Sequence, residues 1–287
     1  MSSLLAPVVT FGRAIKFSHS VFALPFALSS LALALRAWPQ AAQLAWILVA
    51  MVAARSAAMG VNRLVDQTLD ARNPRTAQRE LPSGRLSRRQ MWIFVALAAG
   101  VFLLAAEQLN RLCLLLSPVA LLVIFGYSFT KRFTALSHIV LGLALGIAPV
   151  GAWVAVRGAF ALAPLALALA VVAWVAGFDV IYGCQDYDFD RASGLHSLPV
   201  RLGIAGALRC ARLLHALALA LLASVYWLAP LHPLYLGGLS VVGLLLAYEH
   251  TLVPAEDLSR VNAAFFTVNG WVSVGYLVTT IVARWLA

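Results

Sequence analysis

Nine long apolar stretches, separated by short polar loops, dominate this chain. A helix needs about 20 mostly apolar residues to cross the hydrocarbon core of a bilayer. The stretches meet that length, and they are too long and too rich in Ala and Leu for strands. We therefore predict an all-α integral membrane protein whose nine transmembrane helices form one bundle around a central cavity. The predicted spans cover residues 14–35, 41–65, 89–108, 110–129, 135–156, 160–183, 204–229, 233–250 and 260–285.

The composition leaves little room for a separate soluble domain. Apolar residues make up 62% of the 287 residues and charged residues 11%, against roughly 45–50% and 25% in soluble domains. We therefore treat residues 1–287 as a single polytopic membrane domain. The three cysteines are an odd number and lie in or beside apolar stretches, which argues against a disulfide framework.

Positive charge is distributed unevenly between the two sides of the predicted bundle. Of the 21 Lys and Arg residues, 16 lie in the N-terminal flank and around the loops after even-numbered spans, and 4 lie on the other side. Cytoplasmic loops carry the excess of Lys and Arg in membrane proteins. We expect a protein of the bacterial cytoplasmic (inner) membrane with a cytoplasmic N-terminus. Topology then largely explains the net charge of +10, so we expect the lipid bilayer as a partner and no nucleic acid.

Acidic residues cluster in two short segments at the cytoplasmic ends of even-numbered spans. Six of the 11 lie there, namely Asp66 and Asp70 in the first segment and Asp179, Asp186, Asp188 and Asp190 in the second. Each segment contains a D-x-x-x-D pair, and a spacing of four puts two side chains on one helical face about 5–6 Å apart. Asn62 extends the first face by one more turn.

Carboxylates gathered at a membrane edge repel one another. At about 5 Å and an effective dielectric constant near 20, each pair costs roughly 3 kcal/mol. A divalent cation removes that cost, and Mg²⁺ prefers hard oxygen ligands and is often shared with substrate phosphates. We predict a magnesium site formed by Asp66, Asp70, Asp186 and Asp190. The alternative, solvated charges at helix ends, leaves the concentration of acids in two segments unexplained.

Arginines are interleaved with these acids, and guanidinium groups are good phosphate partners. The pattern therefore predicts a diphosphate–magnesium site at the cytoplasmic mouth of a membrane cavity, with active-site loops in the cytoplasm. The predicted diphosphate ligands in and beside the two segments are Asn62, Arg72, Arg75 and Arg201.

Arg55 is the only basic residue in the core of a predicted span. An arginine there costs at least about 2.5–3.5 kcal/mol on insertion scales, so it should face a polar cavity. Asn62 and Asp66 follow it by seven and eleven residues, offsets that return to within about 20° of the same helical face. We predict that Arg55 points into the site. The alternative is a structural ion pair with an acid such as Asp179.

The two acidic segments resemble the signatures of the UbiA superfamily of intramembrane prenyltransferases, and the resemblance covers nearly the whole chain. The first signature comprises Asn62-x-x-x-Asp66-x-x-x-Asp70, Asn73-Pro74-Arg75-Thr76 and Leu81-Pro82-Ser83-Gly84, and the second runs from Asp179-Val180-Ile181-Tyr182 to Gly194-Leu195-His196-Ser197. Two positions depart from the family. Many relatives have Asp at the position of Arg63, which removes one potential metal ligand, and arginine at the position of Glu80.

The resemblance implies an aromatic prenyltransferase. Two Mg²⁺ ions would bridge the aspartates and the diphosphate of a polyprenyl donor, and an aromatic acceptor would attack the allylic cation. Tyr127, Lys131 and Arg132 match family positions that contact the diphosphate and the allyl region, although an interfacial aromatic belt with a basic flank is the alternative. The predicted catalytic residues are Arg55, Asp179, Tyr182 and Tyr127, with the Tyr182 ring stabilising the cation.

Segments 15–25 and 257–266 resemble the branch that prenylates 4-hydroxybenzoate in respiratory quinone biosynthesis. Part of that branch, called MqnP, belongs to the futalosine route to menaquinone, where the acceptor is a dihydroxynaphthoate. The expected partners are thus a polyprenyl diphosphate and an aromatic acid, for ubiquinone or menaquinone. Haem O and chlorophyll synthase branches are alternatives. An ion-coupled secondary transporter is another, but its acids should lie near the bilayer midplane.

Two further groups of polar residues lie in the first and last predicted spans. Arg13, Lys16 and His19 open the first span, where an ordinary membrane flank is favoured over contact with the acceptor. Asn262 and Asn269 are seven residues apart on the last span, and this spacing makes them candidates to line the cavity.

Overall fold

A computed structural model describes residues 11–12, 22–35 and 39–287. No strand occurs in this part of the chain. Arg13, Lys16 and His19 lie outside the described residues. The helices are α1 (Ala23–Ala34), α2 (Ala41–Arg72), α3 (Arg88–Leu109), α4 (Arg111–Thr130), α5 (Ser137–Arg157), α6 (Leu162–Gly183), α7 (Tyr187–Ala192), α8 (Leu198–Leu228), α9 (Leu234–Leu252) and α10 (Asn269–Trp285), which a π-helical segment, Ala263–Val268, precedes.

The all-helical membrane architecture is confirmed. Within the described residues, seven helical segments are long and apolar enough to cross a bilayer: α2, α3, α4, α5, the stretch Leu162–Ala192, α8 and the stretch Ala263–Trp285. The structure therefore confirms multiple spans but not the predicted count of nine. The two remaining predicted spans correspond to α1, which has 12 residues in the described part, and α9, which has 19.

Helix α2 continues beyond the predicted span 41–65 and carries the first acidic segment. Its 32 residues give a length of about 48 Å, well over the roughly 30 Å of the hydrocarbon core. Asp66 and Asp70 therefore share a face in its final turns, as their spacing predicts. The helix ends at Arg72, because Asn73 precedes a proline and is therefore disfavoured in the α conformation; its backbone is extended.

Helix α6 lies in the centre of the bundle, packed between α5 and α8. Its Leu167, Val171 and Val175 side chains are completely buried. Helix α5 approaches it closely through Gly142 and Gly146, whose missing side chains leave room for the α6 backbone. Small residues at such contacts let membrane helices pack tightly. Helices α3 and α4, by contrast, expose large apolar side chains on the outside of the bundle, as a lipid-facing surface would.

The chain changes direction sharply after α6 and brings the second acidic segment over the end of α2. A 3₁₀ turn, Cys184–Asp186, leads into the short helix α7. Ser197 then caps α8 by accepting a hydrogen bond from the backbone N–H of Val200. Gly203, with φ of 70°, kinks α8, and the predicted span 204–229 begins immediately after this kink.

Candidate active site

A cavity of about 310 Å³ lies where the ends of α2, α4, α5 and α6 meet. Both acidic segments contribute to it, which brings together residues more than 100 positions apart. The predicted site residues that line this cavity are Arg55, Asn62, Asp66, Asp70, Arg75, Tyr127, Lys131, Asp179, Tyr182, Asp186 and Asp190.

Asp66 is held by basic residues from the loop after α4. Its Oδ2 accepts a 2.6 Å hydrogen bond from Lys131 Nζ, and its Oδ1 accepts a 3.0 Å bond from Arg132. Asn62, one turn earlier on α2, also donates to Oδ2 at 3.3 Å. The carboxylate is 4% exposed. These bonds fix Asp66 at the cavity wall and place two cations beside it.

Asp70 pairs with two arginines of its own region. Both carboxylate oxygens accept hydrogen bonds from Arg79, at 2.7 and 2.8 Å. Arg63 lies 3.9 Å away and is 5% exposed. Arg63, where the family resemblance implies a carboxylate, thus places a buried cation beside Asp70.

Asp186 joins the two acidic segments. Its Oδ1 accepts hydrogen bonds from Asn73 at 3.0 Å and from Arg75 at 3.1 Å. Arg75 also donates to the Tyr182 hydroxyl at 3.1 Å and lies over the Tyr182 ring, 5.4 Å from its centre. Burial lowers the pKa of the Arg75 guanidinium, but the hydrogen bond to Asp186 and the negative charges of Asp186, Tyr182 and Asp70 together outweigh burial, and the net effect raises that pKa. Arg75 is therefore a permanent cation.

Asp179 has a partner that the sequence did not suggest. Its Oδ2 lies 2.7 Å from Nδ1 of His138, the second residue of α5. The alternative interpretation of Arg55 paired that arginine with Asp179. In the structure, Asp179 forms its ion pair with His138. His138 also lines the cavity. The available signal was a polar Ser137-His138 pair opening an otherwise apolar span.

The inner wall of the cavity is apolar and aromatic. Phe22, Phe178 and Phe265 line it together with Leu141, Leu145 and Val175. Tyr182 connects the two regions, since its hydroxyl bonds Arg75 while its ring lies 4.3 Å from the ring of Phe265. The cavity thus has a charged mouth and an apolar interior, which suits an amphipathic ligand with an anionic head.

The charges that line the cavity balance one another. The described lining contains five acidic side chains and five basic ones. Within the described residues, no three His, Cys, Asp or Glu side chains converge on a point that could hold a metal ion. Mg²⁺ does not need such a cage, because it usually takes one or two carboxylates and completes its shell with water and substrate phosphates. The carboxylates of Asp66, Asp70, Asp186 and Asp190 therefore fit Mg²⁺ as a donor set.

Three predicted diphosphate ligands are not among the lining residues of this cavity. Arg72 is exposed and follows Asp70 by two positions, about 200° around the helix. Arg132 turns toward Asp66 and the carbonyl groups of Val65 and Ser128, so it braces the carboxylate. Arg201 lies on the first turns of α8 and lines a separate pocket.

Asn269 does not line the cavity either. It is fully buried and accepts a hydrogen bond from Trp174 Nε1 while donating to Glu249 Oε1, both at 2.7 Å. Asn262 is exposed. The prediction for this pair was wrong because the π-helical segment Ala263–Val268 lies between them. Its wider turns break the seven-residue register that a regular helix would keep.

Comparison with known proteins agrees with this architecture. The model of the UbiA prenyltransferase family matches residues 23–271. A 4-hydroxybenzoate octaprenyltransferase of Citrobacter koseri is 34% identical over 234 residues, which cover 78% of each chain. One from Xanthomonas oryzae pv. oryzae is also 34% identical, over 80% of this chain and 76% of its own.

Solved structures show the same fold. A UbiA homolog from Aeropyrum pernix K1 superimposes with a TM-score of 0.83 at 35% identity, over 92% of this chain and 98% of its own. A UbiA homolog from Archaeoglobus fulgidus, bound to DMAPP and Mg²⁺, has a TM-score of 0.75 at 21% identity, over 97% of this chain and 100% of its own.

The fold and the site define an intramembrane enzyme of the prenyl-transfer class. The chain belongs to the UbiA prenyltransferase family. The predicted family is confirmed, and the names of the curated relatives support the predicted class of aromatic prenyltransferase.

Proposed function

We propose that this protein transfers a polyprenyl group from polyprenyl diphosphate to an aromatic carboxylate in respiratory quinone biosynthesis. The single observation that carries the proposal is the cavity itself, because both acidic segments meet at a charged mouth above an aromatic interior. A diphosphate fits the mouth, and an isoprenoid chain fits the apolar wall. The names of relatives at 34% identity favour 4-hydroxybenzoate as the acceptor. Dihydroxynaphthoate is the second candidate, since it offers the same carboxylated ring.

The donor head group would bind at the mouth. Asp66, Asp70, Asp186 and Asp190 would hold Mg²⁺, which when bound neutralises diphosphate charge and stabilises the leaving group. Lys131 and Arg75 already lie at the mouth, each bonded to a carboxylate. As the diphosphate enters, these cations exchange a carboxylate oxygen for a phosphate oxygen, and guanidinium and ammonium groups bind phosphate well.

Movement of Arg75 also changes the environment of Tyr182. In the present structure the guanidinium occupies the cation–π contact with the Tyr182 ring. Once Arg75 turns toward the diphosphate, that ring face becomes available to the allylic cation, which aromatic faces stabilise. Tyr127, on α4, lines the same cavity. The aromatic interior excludes water, which would otherwise capture the cation.

Arg55 would orient the acceptor. It lies on α2 seven residues before Asn62 and eleven before Asp66, which places it roughly 10 and 16 Å deeper along the helix. A guanidinium in that position can pair with a carboxylate through two parallel hydrogen bonds. The acceptor ring would then lie between Arg55 and the diphosphate at the mouth.

The membrane arrangement follows the distribution of charge. We propose nine spans, with α1 as the end of span 14–35 and α9 as the eighth span. The excess of Lys and Arg puts the N-terminus and the cavity mouth in the cytoplasm, in the inner membrane of a bacterium.

The test uses the full chain in membranes or nanodiscs with radiolabelled prenyl diphosphate and a panel of aromatic acids, with Mg²⁺ or with EDTA. We expect prenylated aromatic acid only in the presence of Mg²⁺. Asp→Asn at positions 66, 70, 186 and 190 keeps size and removes charge, and we expect losses of at least about 10²-fold at each. Asp188→Asn, in the same segment, is the matched control. Full activity in any two of the four variants refutes a shared metal–diphosphate site.

A further inference from the structure

The pair formed by Asp179 and His138 is the feature that the proposed function does not yet use. Asp66, Asp70 and Asp186 are all bonded to Arg or Lys side chains. Asp179 is bonded to a histidine instead, at 2.7 Å, and 25% of its side chain is exposed. Asp179 lies seven residues before Asp186 on the α6 side of the cavity. Along the helix axis it is therefore about 10 Å deeper than Asp186 at the mouth.

The surroundings of His138 determine which nitrogen carries its proton. The backbone N–H of Leu198, at the start of α8, points at His138 Nε2 over 3.4 Å. A backbone N–H can only donate, so Nε2 accepts and the proton of the neutral ring is on Nδ1. Nδ1–H therefore donates to Oδ2 of Asp179. The imidazole thereby holds Oδ2, and Asp179 lines the cavity.

The imidazole itself is badly placed to meet a substrate. Its side chain is 6% exposed, and both ring nitrogens are engaged. Gly183, one turn after Asp179 on α6, makes room for the ring, since a Cβ there would lie 3.1 Å from His138 Cε1. His138 is thus packed against the face of α6 that carries Asp179, and the carboxylate is the member of the pair that faces the cavity.

We propose that Asp179 is the base that removes the ring proton of the acceptor, and that His138 is the positioning residue that aims it. This inference rests on the proposed function. The bond between the allylic carbon and the diphosphate oxygen breaks, and its electron pair leaves with the diphosphate. A ring carbon of the acceptor forms the new C–C bond. Asp179 then takes the proton from that ring carbon, and the C–H electron pair restores aromaticity.

The test compares the wild type with two substitutions of His138. His138→Leu removes the donor to Asp179. His138→Asn retains one, because an Asn amide nitrogen stands close to the position of Nδ1. His196→Leu, an exposed histidine in the loop before α8, is the control. For each variant, kcat and both KM values are measured with 4-hydroxybenzoate and with its ring-deuterated form, together with prenyl-diphosphate binding to show that the protein is folded.

We expect His138→Leu to lower kcat by roughly 10- to 100-fold with an unchanged KM for prenyl diphosphate. Ring-proton removal should then limit the rate, so deuterium should slow this variant but not the wild type. His138→Asn should recover most of the activity, and His196→Leu should match the wild type.

Three results would overturn the inference. One is full activity of His138→Leu in a wild-type background that transfers prenyl groups. A second is a loss of kcat in His138→Leu without a deuterium effect. A third is equal impairment of His138→Asn and His138→Leu. Each of these last two results indicates a purely structural role for His138. A wild type that prenylates no aromatic acid refutes the proposed function and this inference with it.

Discussion

A methyl group added at Gly142 tests how closely catalysis depends on the contact between α5 and α6. A Cβ built at Gly142 lies 2.4 Å from the carbonyl oxygen of Val172. That oxygen belongs to the backbone of α6, so it cannot rotate away as a side chain could. For Gly142→Ala the gap must open to at least 3.0 Å, which is a separation of the two helices by about 0.6 Å.

The separation has a cost in stability and a cost in activity. Overpacking of this kind typically destabilises a fold by about 1–3 kcal/mol. His138 lies one turn before Gly142 on the same face of α5, and its hydrogen bond to Asp179 crosses the same contact. If the helices part equally there, the 2.7 Å bond stretches to about 3.3 Å, near the limit at which such bonds count. We therefore expect kcat to fall with little change in the KM for prenyl diphosphate.

Gly151 provides the matched control, since it is exposed on α5 and a Cβ there meets no atom within 4 Å. Unfolding of Gly142→Ala and Gly151→Ala by denaturant in mild detergent can be followed by the fluorescence of the eight tryptophans, and turnover by the radiolabel assay. Gly142→Ala should be destabilised and slow, and Gly151→Ala should behave as the wild type. Equal stability and equal turnover of the two variants would refute the close contact.

Three more outcomes are expected. Cysteines placed at Ser83 and at Ser193, in a background without the three native cysteines, should both resist a membrane-impermeant thiol reagent added to the periplasmic side. Labelling of only one of them means that the predicted number of spans between them is wrong by an odd number. Arg55→Lys keeps the charge but loses the planar fork, so its KM for the acceptor in steady-state kinetics should be higher than that of the wild type. An effect confined to the donor KM would make Arg55 a diphosphate ligand. Asn269→Ala leaves a buried carboxyl and an indole N–H without their partner, so a denaturation assay should show a loss of at least about 2 kcal/mol in the free energy of unfolding. Asn262→Ala, at an exposed position, should lower that free energy little. Equal stability of the two variants would contradict the buried network.

Much of the site could be predicted because its components are local. The spacing of Asp66 and Asp70 determines that they share a helical face, and α2 indeed continues past both residues. The position of Arg55 on that face follows from the same periodicity. The two acidic segments were expected at the same membrane side from an even number of intervening spans, and the structure places them around one cavity.

The partners of the charged side chains could not be predicted in this way. Asn73 and Asp186 are 113 positions apart, and His138 and Asp179 are 41 apart. Such contacts depend on the rotation and depth of one helix against another. A charge pattern along the sequence gives the side of the membrane but not that rotation. The same limitation explains why Arg72 and Arg201 were expected at a cavity that they do not line.

The sequence by itself determined the environment, the helices and the two segments that carry the chemistry, because hydropathy and helical periodicity act within about 20 neighbouring residues. Only the tertiary structure decided how those helices meet. The close approach at Gly142, the kink at Gly203 and the π-helical turns before Asn269 each rotate or shift one helix face relative to its neighbours. Many arrangements of packed helices are similar in free energy. Which one forms depends on how side chains fit together across the whole bundle, and no single segment of the sequence carries that information.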